Sequence, residues 1–134
     1  VYEDSIQSLE VSANWAVSCT PTESKAILAN ATVYFEFDSF NLSTRSIQAL
    51  KSITALMQDN PEIEITIAGH ADERGTREYN LALGQRRAES VADYLKLKGI
   101  SRSRLTIKSY GEEMPMVAGS NERSWARNRR AEIN

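Results

Sequence analysis

Isoleucines stand at 63, 65 and 67, with Glu64 and Thr66 between them and Gly69 shortly after. Alternation of this kind puts the isoleucines on one face of a strand over 62–68 and the polar residues on the other. On both sides of this strand the period lengthens. Before it, Ile47, Leu50, Ile53, Thr54 and Met57 recur at helical spacing, from a Ser43 cap to a stop at Asn60 and Pro61. After it, Leu81, Gly84, Ala88, Val91, Ala92 and Leu95 share one helical face, with Asn80 as the expected cap and Gly99 in the closing position. A one-faced strand between two one-faced helices has to bury all three faces together, which calls for a layered fold.

The remaining elements fit that frame. In 32–38, Val33, Phe35 and Phe37 alternate with Thr32, Tyr34 and Glu36, a second strand. Further strands are expected over 104–110 and 130–133, separated by a loop through Pro115 and Gly119 and a short helix over 122–127. The order β-α-β-α-β-(short helix)-β predicts an α+β domain, a two-layer sandwich with both long helices on one sheet face. It spans 31–134, while residues 1–30 show no sustained period and are expected to be a tail or linker.

Composition narrows the function classes. A length of 134 residues gives one domain, and a net charge of −2 argues against a nucleic-acid partner. No window nears the ~20 apolar residues of a membrane helix. Cys19, the single cysteine, excludes an internal disulfide and cannot alone build a thiolate metal site.

The polar run GHADERGTREYN, 69–80, follows the clearest strand, where ligands of open α/β sheets tend to bind. On the next helix, Arg87 lies about a quarter turn from the apolar face, at its partly buried boundary, while Arg86 points to solvent. Leaning toward the helix N-terminus, the Arg87 guanidinium is expected to approach the loop of Asp72. Two readings stay open: a structural ion pair, or a pair that binds a zwitterion, Asp72 taking an ammonium and Arg87 a carboxylate. Removing either side chain is expected to abolish binding without unfolding the domain.

A rival enzyme reading groups His70, Asp72 and Glu73 as metal ligands of a hydrolase. His70 is the only histidine, however, and such sites need three or four converging donors. No nucleophile motif or phosphate loop is present, so no cofactor and no catalysis are expected. Arg123, Arg127, Arg129 and Arg130 near the end read as a solvated face with Trp125 packed down or at a protein interface.

The stretch from GHADERGTREYN through LALGQRRAESVADYLKLKGI, with VYFEFDSFNL before it and SYGEEMP and ARNRRAEI after it, resembles the OmpA-like peptidoglycan-binding domain family. Within it, the DERGT loop, the ALGQRRA helix and the SYGEE turn are more similar to the lipoprotein branch, Pal, than to the porin-fused or flagellar-stator branches. The resemblance implies non-covalent, non-catalytic binding of the peptidoglycan stem peptide. It puts the grip on meso-diaminopimelate at Asp72 and Arg87, with Phe37, Asp38, Asn80 and Leu83 lining the pocket. Ordinary roles exist beside these: Phe37 as core, Asp38 as a turn residue, Asn80 as a helix cap.

The resemblance also implies a periplasmic domain held to the outer membrane only through a lipid anchor, with a propeller protein of the Tol system as partner. Cys19 is the candidate for lipid attachment within this chain. Ala16 stands where leucine is usual in that context, and the alternative is an acylated cysteine upstream of Val1.

Overall fold

The computed structural model describes residues 31–134, and the expectations for 1–30 and for Cys19 fall outside them. Strand β1 (Ala31–Tyr34) is followed by helix α1 (Thr44–Asp59), strand β2 (Ile65–His70) and helix α2 (Arg77–Leu97). A single 3₁₀ turn, Arg102–Arg104, leads into β3 (Leu105–Gly111), then come helix α3 (Glu122–Asn128) and β4 (Arg130–Ile133).

The four strands form one sheet in the order β1-β4-β2-β3. β4 runs antiparallel to both neighbours, pairing Ile133 with Ala31 on one side and with Ile67 on the other. β2 and β3 are parallel, Ile65 opposite Leu105, and α2 is the crossover that a parallel pair requires. Val33, Ile65, Ile67 and Ile133 turn the same sheet face to Leu50, Ile53 and Met57 of α1 and to Ala88, Val91 and Leu95 of α2. Both long helices therefore cover one face, as the periodicity requires, and each buried aliphatic contributes about 1.5–3 kcal/mol.

Several boundaries differ from expectation: β2 runs on to His70 instead of 68, β3 shifts and α3 lengthens by one residue, and three differences have a clear physical reason. The first strand ends at Tyr34, because the chain turns through Phe37 and Asp38, and Asp38 sits at φ 54°. The second begins at Ile65: the Ile63 carbonyl accepts from Arg104 Nε at 2.8 Å, and strand pairing starts only opposite Leu105. The cap of α2 is Thr76, whose hydroxyl accepts from the Tyr79 N–H, so Asn80 lies inside the helix.

Candidate functional site

The site depends on how closely α2 lies against β2. A Cβ added to Gly69 would stand 1.7 Å from the Gly84 carbonyl oxygen, so the two backbones touch where no side chain fits. This contact lays the first half of α2 over the carboxyl end of β2. A cavity of about 420 Å³ opens there, lined by Phe37, Asp38, Asp72, Asn80, Leu83 and Arg87 together with Arg74, Gly75, Thr76, Tyr79 and Ala71. All six residues singled out from the sequence thus line one hollow.

Arg87 is fully buried, not at a half-exposed boundary. The flush packing of α2 and the loop after β1 close over it. Its Nε donates to the Ser39 carbonyl at 2.8 Å, Nη1 to that of His70 at 2.9 Å and Nη2 to that of Glu36 at 3.1 Å. A guanidinium has five N–H donors, so two remain beyond these three. Burial lowers its pKa to about 10, the Arg129 charge adding and the Asp72 and Asp38 charges opposing, and it stays cationic at neutral pH.

Asp72 is 4% exposed and forms no ion pair with Arg87 among the described residues. Of the two readings left open by the sequence, a direct Asp72–Arg87 bridge is not formed, because each charge has partners of its own. Asp72 Oδ1 accepts from the Arg74 N–H at 3.0 Å and from Arg74 Nε at 3.1 Å, and Oδ2 accepts from Arg74 Nη2 at 2.8 Å. Arg129 Nη1 stands farther off, 3.7 Å from Oδ2. Burial pushes the Asp72 carboxyl up, but the Arg74 hydrogen bonds and the Arg74 and Arg129 charges outweigh it and hold it below the usual aspartate value. With about four acceptor positions on a carboxylate and three close hydrogen bonds made, one position on Oδ2 remains.

Around this pair the other lining residues take distinct places. Phe37 is 57% exposed at the rim rather than in the core, because the strand has already ended. It faces one side of the Arg74 guanidinium at 3.9 Å from its centroid, and Trp125 faces it at 4.0 Å. Asp38 Oδ1 accepts from the Tyr79 hydroxyl. Asn80 is buried and donates to Glu112 at 2.7 Å, a tie across to the loop after β3 in place of the expected cap. Leu83 supplies the apolar floor.

Sequence reasoning missed the arginines that tune Asp72. Arg129 is not on a solvated face: it is 5% exposed, gives Nε to the Phe35 carbonyl at 2.9 Å and pairs with Glu122 at 2.9 Å. Arg130 is buried as well, donating to the Met114 carbonyl at 3.0 Å, while Arg123 and Arg127 are exposed as expected. Nothing in the spacing of the four separates the two classes: Arg129 caps the end of α3 and reaches toward Asp72 and Glu122, whereas Arg130 opens β4 and reaches Glu132 and the Met114 carbonyl. For Arg74 a signal existed, because Asp-x-Arg allows the carboxylate to accept the N–H two residues on.

The hydrolase constellation is not assembled. His70 alternates with Ile67 and Gly69 on to the open sheet face, stacked on Tyr110 with centroids 5.4 Å apart and 3.9 Å from Glu132. Asp72 faces the cavity on the helical side, and Glu73 accepts from Trp125 Nε1 at 3.0 Å. Among the described residues no three such side chains converge on a metal position.

With this geometry in view, residues 34–129 match the OmpA family. The chain belongs to that family. It is 45% identical over 118 residues to the peptidoglycan-associated lipoprotein of Pseudomonas putida, covering 88% of this chain and 70% of the relative. With the lipoprotein of the same name from Pasteurella multocida it shares 45% over 100 residues, 75% of this chain and 67% of that one. The crystal structure of the peptidoglycan-associated lipoprotein from Burkholderia pseudomallei superposes with a TM-score of 0.77 at 43% identity, covering 80% of this chain and 91% of that one. Within the OmpA family the resemblance therefore runs to the lipoprotein branch, and the α+β sandwich is that of its solved members. No helix among the described residues is long and apolar enough to cross a membrane.

Proposed function

We propose that this domain binds the peptidoglycan stem peptide without catalysis, gripping the zwitterionic end of meso-diaminopimelate between Asp72 and Arg87. The observation that carries this reading is that a buried cation and a buried carboxylate, each with hydrogen-bonding capacity left, line one cavity. Arg87, held rigid by three backbone carbonyls, keeps two N–H donors, which suits a carboxylate; Asp72 keeps one acceptor position, which suits an ammonium. Relatives named peptidoglycan-associated lipoproteins support the same ligand class. On this reading the domain is a reversible tether in the periplasm, joining the outer membrane, through an anchor, to the wall. Its protein partner is the Tol propeller, which a pull-down would retain with this domain and not with a porin-type one.

Calorimetric titration with a soluble meso-diaminopimelate muropeptide tests the ligand, with a lysine stem peptide beside it. Lysine lacks the second carboxylate, so it is expected to bind at least about tenfold more weakly. Asp72→Asn is expected to cost about 2–5 kcal/mol of binding, as for one partner cut from a desolvated pair. Equal affinity for both peptides, or no heat with folded protein, would remove the assignment.

A further inference from the structure

Beside the main cavity lies a second hollow of about 260 Å³, lined by Asp38, Phe40, Tyr79, Ala82, Leu83 and Arg86. Asp38, Tyr79 and Leu83 line both, so the two hollows share one wall. On that wall the Tyr79 hydroxyl donates to Asp38, and Asp38 sits at φ 54°, in the left-handed region. The Phe40 carbonyl accepts from the Ser90 hydroxyl at 2.6 Å, which secures the far side against α2. Successive helix positions diverge by ~100°, so Arg87 enters the first hollow and Arg86 borders the second.

The two arginines differ in what they already hold. Arg87 spends three donors on backbone carbonyls. Arg86 is exposed, its guanidinium carbon 5.5 Å from the Phe40 ring centroid, and it has no carboxylate partner among the described residues. The second hollow thus offers one cation, steadied by an aromatic face, directly beside a site that takes a zwitterion.

We propose that the Arg86 hollow is a second subsite, which binds a carboxylate carried by the residue next to the zwitterionic end of the same peptide. The proposal rests on the stem-peptide reading of the main cavity and adds a specificity to it. In such peptides the neighbouring residue is a γ-linked glutamate whose α-carboxylate is either free or amidated. The domain then distinguishes the two, preferring the free acid, because amidation removes the charge that Arg86 meets.

The test is a four-way titration: the tripeptide with free glutamate α-carboxylate and the same peptide amidated there, each against the wild-type protein and Arg86→Gln. Wild type is expected to bind the free acid about three- to fivefold more tightly, the range of a solvent-exposed charge pair. In Arg86→Gln that preference is expected to vanish while the amidated peptide binds as it does to wild type. Equal affinity of wild type for both peptides overturns the second subsite and leaves the main cavity standing, as does a preference that survives in Arg86→Gln. Failure of wild type to bind either peptide overturns both readings.

Discussion

At Arg87 one side chain holds the fold and, on the proposed reading, also the ligand, and the two roles can be separated. Its donors tie the loop carrying Glu36 and Ser39 to the end of β2, so Arg87→Ala removes three hydrogen bonds at once, the Glu36 carbonyl keeping only the Ser39 N–H at 3.2 Å. That variant is expected to lose at least about 3 kcal/mol of stability in urea, contrary to the simple expectation of an intact fold. Arg87→Lys keeps the charge but not the fork; it is expected to fold and to bind the diaminopimelate peptide at least about tenfold more weakly. His70 makes a separate prediction on the other sheet face. Burial and the Arg130 charge lower its pKa from 6.5 to about 4, against the opposing Glu132 charge, and neither ring nitrogen has a hydrogen-bond partner. The unfolded chain therefore takes up this proton first as pH falls, and stability drops between pH 6.5 and 4, by on the order of 3 kcal/mol. Urea midpoints across that range are expected to flatten in His70→Gln. Asp72 acts below that window: its lowered pKa gives stability that is present above pH 4 and lost as the folded carboxyl titrates. The approach of Arg87 to the Asp72 loop was legible from helix geometry. Its complete burial was not, because the covering loop comes from residues 36–39, far away in sequence.

Among the elements, α2 and β2 decide whether the site exists. Their approach at Gly69 and Gly84 leaves no room for a methyl: a Cβ on Gly69 meets the Gly84 backbone carbonyl, and one on Gly84 meets the Ser109 hydroxyl at 2.4 Å and the Gly69 carbonyl oxygen at 2.9 Å. Gly69→Ala is expected to lower the melting temperature by more than about 10 °C, read by circular dichroism, and to weaken peptide binding along with it. The four strands and three α-helices were legible in order, including β4 at its observed limits, but the 3₁₀ turn Arg102–Arg104 was not. Periodicity does not fix ends, however, and the ends shape this site. Thr76 rather than Asn80 caps α2, which frees Asn80 to reach Glu112. The early end of β1 puts Phe37 on the rim, against Arg74, instead of in the core.

Across the whole molecule, the site draws on segments far apart in the chain: the loop after β1, the β2–α2 loop, the first turns of α2 and, through Arg129 and Trp125, the end of the domain. The contribution of α3 was the least legible part, because only the sheet order β1-β4-β2-β3 brings the last residues beside Asp72. On the proposed reading, a grip made of charge-assisted hydrogen bonds suits a tether that must release as wall and membrane move. On the same reading, the two remaining N–H donors of Arg87 receive a ligand carboxylate. Nitrogen-15 NMR of the arginine side chains during titration with the meso-diaminopimelate muropeptide tests it most directly, because a guanidinium buried this deeply exchanges slowly enough to be followed. A saturable shift of the Arg87 Nη–H signal is expected, absent with the lysine peptide. Saturable binding that leaves that signal in place would contradict it.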